Sequence, residues 1–135
     1  KELAPVGRLD KDTEGVLIFT NDGEFSHKIL APKSHVDKVY YLQLENEISD
    51  EEIEKLKSGV EIEGGYFTKE AEAEKIAEKE IYLTIREGKF HQVKQMAEAV
   101  GNRVTYLKRV KFGKMEIGTM ETGEVREIRK EDIVD

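Results

Sequence analysis

The 135-residue chain is sized for one domain and is too short for two well-filled cores. It has no cysteine, which excludes disulfides, thiolate catalysis and cysteine-ligated zinc, and no apolar run nears the roughly 20 residues that span a bilayer. The formal net charge of −7 disfavours a polyanionic partner only on average, because residues 45–80 carry 13 acids and 5 bases whereas residues 86–114 carry 8 bases and 2 acids.

The opening KELAPVG has no signal-peptide pattern and no initiator methionine, so the expectation is an N-terminally truncated chain of the reducing cytoplasm. GRLDKDTEG, residues 7–15, crowds three acids and two bases just ahead of VLIFT, which reads as a buried strand from Val16 to Thr20. NDG at 21–23 supplies turn chemistry, and Phe25 and Ile29 in EFSHKILA predict a short helix that Pro32 stops. KVYYLQLE returns to strand, with Tyr40, Leu42 and Leu44 on one face. Ser49 and Glu52 form a capping box for a helix whose apolar stripe, Ile53 and Leu56, ends at Gly59.

In GGYFTKEAEAEKIAEK the Ala and Glu content favours helix, but Ala71, Ala73 and Ala77 fall on one strand face, and strand is the reading adopted. EIYLTIRE alternates at Ile81, Leu83 and Ile85. Gly88 then turns the chain into FHQVKQMAEAVGN, where Val93, Met96, Ala97 and Val100 trace one helical stripe before Gly101. RVTYLKRVKFG reads as strand, and the short apolar segments after it add an edge. The sum predicts an α+β domain on a mixed, mostly antiparallel sheet with flanking helices.

The acidic opening motif fits several chemistries poorly. Asp10, Asp12, Glu14 and Gly15 match the start of a calcium loop, but its closing position, where a bidentate Glu is required, is Asn21, and no helix precedes Asp10. His27, His35 and His91 lack metal-ligand spacing, so no metal is expected. No G-x-G-x-x-G or Lys-Ser/Thr phosphate loop occurs. A two-carboxylate glycosidase pair is not selectable by spacing in a chain with 29 acids. The plainest reading is a surface ion pair of Arg8 with Asp10 along one strand face, contributing about 0–1 kcal/mol.

PVGRLDKDTEGVLIFTNDGEFSHKI, DKVYYLQLE, LTIREGKFHQVKQMAEAVGNRVTYLKR and TGEVREI, in that order, resemble the RNA pseudouridine synthases over nearly the whole chain. The similarity is to the branch of the ribosomal small-subunit enzymes. It implies a pseudouridine synthase-like α+β fold, with an S4-type RNA-binding domain and the first catalytic strands normally preceding this region. By the same resemblance Asp10 is the catalytic carboxylate, Tyr40 stacks on the target base, Lys94 is the basic partner of Asp10, and Val93 lies under the base. Arg8, with His91 and Gln92 of FHQVK, falls among the substrate-binding positions. On pattern alone Tyr40 and Val93 read equally as core, and Lys94 as a solvated lysine one turn from His91.

The implied activity is isomerisation of a uridine in ribosomal RNA without cofactor or metal. The N1–C1′ bond breaks, the uracil turns, and C5 rejoins the sugar. An ionised carboxylate serves either as nucleophile at C1′ or as base at the C2′ proton. An ammonium beside it keeps it charged when RNA excludes water. The nucleotide must be flipped out, and an aromatic face rewards the base with roughly 1–3 kcal/mol of stacking. His91–Gln92, where siblings acting on 23S RNA commonly carry Asn-Arg, favours 16S RNA as substrate. Gln95 stands where the family often has Arg, which weakens phosphate contact. A cytoplasmic monomer with ribosomal RNA as partner and no membrane is expected. The rivals are a catalytically silent RNA-binding or ribosome-assembly module, a sibling enzyme acting on 23S rRNA, and a protein-interaction module using the acidic segment 45–80.

Overall fold

The structure is a computed structural model and describes residues 2–34, 36–89 and 91–135. His35, one of the histidines weighed as a ligand, and Phe90, in the predicted α-helical stretch, lie outside the described residues.

Strand β1 (Ala4–Val6) leads through the acidic loop to β2 (Glu14–Gly15) and β3 (Ile18–Thr20), and β3 pairs antiparallel with β1. Helix α1 (Gly23–Leu30) starts where the Asp22 carboxylate accepts from the Phe25 amide at 3.0 Å, satisfying one of the free donors of its first turn. Strand β4 (Lys38–Leu44) is followed by α2 (Asp50–Ser58), which has the full capping box of Ser49 and Glu52. A short hairpin of β5 (Glu61–Ile62) and β6 (Tyr66–Phe67) precedes β7 (Glu72–Ala77) and β8 (Glu80–Ile85). Helix α3 (Gln92–Ala99), the long β9 (Val104–Phe112) and β10 (Met115–Glu116) complete the regular elements.

The main sheet runs β10-β9-β4-β8-β7 with every neighbouring pair antiparallel, and β2 joins β9 as a parallel pair. The α+β expectation therefore holds. Leu42, Leu44, Ile81, Leu83, Ile85 and Leu107 project from one face of the sheet onto Ile53 and Leu56 of α2 and Val93, Met96 and Ala97 of α3. Each such side chain removed from water contributes about 1.5–3 kcal/mol before entropy is counted. Val6, Ile18, Ile29, Phe112 and Ile133 form a smaller second cluster beneath the acidic loop.

Three sequence expectations change. VLIFT is not one strand: Gly15 bridges to Arg109, Val16 and Leu17 leave the ladder, and only Ile18–Thr20 pairs, with β1. Ala71 and Ala73 do pack against the core, but Ala77 is exposed because the β7–β8 register shifts between Lys75 and Ala77. Arg8 and Asp10 do not share a strand face, since Gly7 at φ 65° turns the chain out of β1 and the Thr13 amide closes a turn on the Asp10 carbonyl at 2.9 Å.

Candidate active site

A buried arginine ties the acidic loop down from beneath, and the Tyr106 hydroxyl of the same strand donates to Glu14 within it at 2.9 Å. Arg109 of β9 is 1% exposed. Its Nε donates to the Val16 carbonyl at 2.9 Å and its Nη2 to the Gly7 carbonyl at 2.8 Å, so one planar guanidinium ties both ends of the loop together. The backbone adds a second tie, with the Val16 amide on the Arg109 carbonyl at 2.8 Å. This approach is possible only at glycine: a Cβ on Gly15, whose φ is 126°, would sit 2.1 Å from the Arg109 carbonyl oxygen.

Held this way, the loop presents Asp10, its side chain 26% exposed, to the start of α3. His91 Nε2 lies 3.5 Å from Asp10 Oδ1, and Lys94 Nζ lies 3.6 Å from Oδ2. His91 precedes the helix in the left-handed region at φ 48°, a conformation that is strained by about 1–2 kcal/mol for a residue with a Cβ. The loop that imposes it is tightly bonded. Glu87, buried, accepts from the Lys69 amide at 2.8 Å, from the Gln92 amide group at 3.0 Å and from the Tyr66 hydroxyl, whose pKa that bond pushes up to about 12. Gln92 Oε1 in turn accepts from the Lys89 amide at 3.0 Å.

Lys94 has a closer partner than Asp10. Its ammonium donates to Asp12 Oδ1 at 2.6 Å, which holds Lys94 above the ordinary lysine range and Asp12 below the usual carboxylate range. Asp12 is 75% exposed, so the pair is screened by water and adds little to stability. Its effect is positional: two carboxylates hold one ammonium at the edge of the site.

A cavity of about 220 Å³ opens beside Asp10. It is smaller than the roughly 300–1,000 Å³ of drug-sized ligand sites. Arg8, Asp10, Tyr40, His91, Gln92 and Val93 all line it. Lys94 does not; it faces an adjoining, more open hollow with Glu61, Glu63 and Glu98, and reaches the first site through its ion pair. Gln92 contributes surface only, because both ends of its amide are already bonded within the 87–92 loop. Val93 serves the cavity and the core together.

Four further polar side chains of the lining were not assigned to the site from sequence: Thr13, Lys38, Lys89 and Arg109. Thr13 Oγ1 is buried without a hydrogen-bond partner among the described residues. Lys89 lies over the Tyr66 ring at 4.6 Å. Lys38 stands two positions before Tyr40 on the same face of β4, a placement that strand period makes legible once the cavity is known. Among the described residues no cluster of three or more His, Asp or Glu is arranged to hold a metal, and no helix is long and apolar enough to cross a membrane.

Comparison with known proteins places the chain in a family. Residues 1–99 match the family model described as RNA pseudouridylate synthase. The uncharacterized RNA pseudouridine synthase YtzG of Bacillus subtilis is 53% identical over 137 residues, covering 98% of this chain and 57% of the relative. The ribosomal small subunit pseudouridine synthases A of Vibrio cholerae and Escherichia coli are 40% and 39% identical, each covering 98% of this chain and 58% of the relative. A crystal structure of a pseudouridylate synthase superposes with a TM-score of 0.90 at 37% identity, covering 97% of this chain and 58% of that one. The chain thus spans just over half the length of the relatives it matches. An archaeal Nop10–Cbf5 complex, at 15% identity and a TM-score of 0.57, shares the fold alone. On the matched motifs, the family model and relatives of this similarity, the chain belongs to the RNA pseudouridylate synthase family.

Proposed function

We propose that the protein converts a uridine of 16S ribosomal RNA into pseudouridine, with Asp10 as the reacting carboxylate. The observation that carries this reading is the convergence on one small cavity of Asp10 and Tyr40, with the Lys94 ammonium 3.6 Å from the Asp10 carboxylate. The flipped base stacks on Tyr40 over Val93, and Asp10 acts at C1′ or on the C2′ proton. Lys94 keeps Asp10 ionised once RNA displaces water. Arg8 and His91 contact the nucleotide, and Gln92 positions the loop that carries His91. The choice of 16S RNA is supported by the His91–Gln92 pair and by the similarity to small-subunit enzymes. In the proposed whole protein an S4-type domain outside this chain strengthens RNA binding.

Chemical mapping of pseudouridine in 16S and 23S transcripts tests this. The protein is expected to modify one 16S uridine. Asp10→Asn is expected to lose the product by at least about 10³-fold, since it removes both nucleophile and base, while transcript binding stays within about threefold. Modification confined to 23S RNA overturns the substrate choice, and an active Asp10→Asn variant overturns the catalytic assignment.

A further inference from the structure

The floor of the cavity holds a charge that the chemistry above does not use. Lys38 opens the central strand β4, 3% exposed, yet lines the cavity. Burial and the neighbouring Arg109 push its pKa below the ordinary lysine range. Among the described residues its ammonium donates one hydrogen bond, to the Glu87 carbonyl at 3.3 Å, and the Phe112 ring 6.0 Å away accepts no directed bond. An ammonium has three donors. Two of the three therefore have no acceptor among the described residues, at a depth where unmet donors are costly. Gly88 borders the same space: a Cβ added there would come to 3.9 Å from Nζ, an ordinary contact.

Such a group is placed to meet something that enters the cavity bearing negative charge. Lys38 and Tyr40 are two residues apart on one strand face, about 7 Å along the chain, so a ring lying on Tyr40 brings its edge towards Lys38. Scission of the N1–C1′ bond leaves its electron pair on N1, and the resulting anion is shared with the O2 and O4 carbonyl oxygens. The electron deficit at C1′ is met either by a new bond to an Asp10 oxygen or by transfer of the C2′ proton to Asp10. When C5 attacks C1′, that bond is released or the proton returned, the C5 proton is lost, and N1 takes up a proton. Atoms and charge balance without a co-reactant.

We propose that Lys38 is a catalytic residue of this reaction, donating to a carbonyl oxygen of the departing uracil and stabilising its anion while the base is detached. This rests on the isomerase reading above. It assigns to the cavity floor a leaving-group role separate from that of Asp10 on the sugar.

The test compares wild type and Lys38→Met in single turnover. The substrates are an oligoribonucleotide spanning the modified 16S site, with uridine or 5-fluorouridine at the target, followed by nuclease digestion and chromatographic separation of the target nucleoside from its isomer of equal mass. 5-Fluorouridine has no C5 proton to lose, so its scission is read as the C5-linked nucleoside or its water adduct. Fluorine at C5 withdraws electrons and makes the base a better leaving group that needs less help. On uridine, Lys38→Met is expected to slow N1–C1′ scission by about 10²-fold or more, as loss of a donor to developing charge does, with binding within about threefold. On 5-fluorouridine the deficit is expected to shrink at least tenfold. The ratio of the two rates within one variant does not depend on its folded fraction. Equal deficits on both substrates overturn the inference in favour of a structural role. A loss of binding that accounts for the loss of rate overturns it in favour of a phosphate anchor. A wild type that leaves the uridine intact overturns the isomerase reading and this inference with it, whereas an active wild type matched by Lys38→Met overturns the inference alone.

Discussion

At the scale of single residues, not every charge in the site serves stability. Lys38 is the clearest case. Its ammonium is buried beside Arg109, and its folded pKa lies below the ordinary value of about 10.4 that the unfolded chain retains. Between those two values the unfolded state binds more protons, so stability rises with pH there. Lys38→Met removes the penalty and is expected to raise unfolding free energy at pH 7 by about 1 kcal/mol, as apolar replacement of buried charge does. The advantage should be fully present below the folded pKa and disappear as pH approaches the unfolded value, which urea titrations of both proteins from pH 7 to about 10.5 would read. A Met variant less stable at neutral pH would contradict this. Asp10 and Tyr40 were visible in sequence because motif resemblance marks them. Lys38 was not, because nothing in KVYY tells a buried lysine from a solvated one at a strand start; burial is decided by β8 and β9 on either side of β4.

At the scale of elements, the loop bearing Asp10 is positioned by a strand nearly a hundred residues later in the chain. Arg109→Met leaves the Gly7 and Val16 carbonyls without their charged donor, and is expected to cost about 2–4 kcal/mol in chemical denaturation. Activity should fall further than unfolding explains, because Asp10 loses its fixed distance to His91 and Lys94. Gly15→Ala attacks the same joint through the backbone and should cost about 3 kcal/mol or more, since its Cβ would overlap the Arg109 carbonyl. If both variants unfolded as the wild type does, the loop would be held by something else. Periodicity and caps made β4, α2, β8, α3 and β9 legible, each through local signals such as the Ser49–Glu52 box. The parallel β2–β9 bridge was illegible, because a two-residue pairing has no period and its partner is remote. The bulge that exposes Ala77 has the same cause: register is a property of two strands, not one.

At the scale of the whole molecule, the basic stretch 86–114 is not the free positive field its sequence suggests. Arg86 pairs with Asp37 at 2.7 Å, Arg103 with Glu45 at 3.5 Å, Lys111 with Glu116 at 3.8 Å and Lys114 with Asp135 at 3.2 Å, all acids from outside that stretch. Lys94 is held by Asp12 and Asp10, and Arg109 is buried under the loop. Arg8 and Lys89 remain as exposed cationic side chains at the cavity without an ion pair among the described residues, whereas Lys38, also unpaired there, is buried. Each phosphate contact to a single strand adds about −0.7 to the slope of log K against log salt. Two such contacts predict a slope near −1.4, measured by fluorescence anisotropy of a labelled oligoribonucleotide between about 50 and 200 mM salt. Arg8→Ala and Lys89→Ala should each flatten it by about 0.7, whereas neutralising Glu72 and Glu74 on β7, remote from the cavity, should leave it unchanged. A slope steeper than about −4 would mean that RNA lies along a different face, with the paired lysines and arginines released from their acids to meet it.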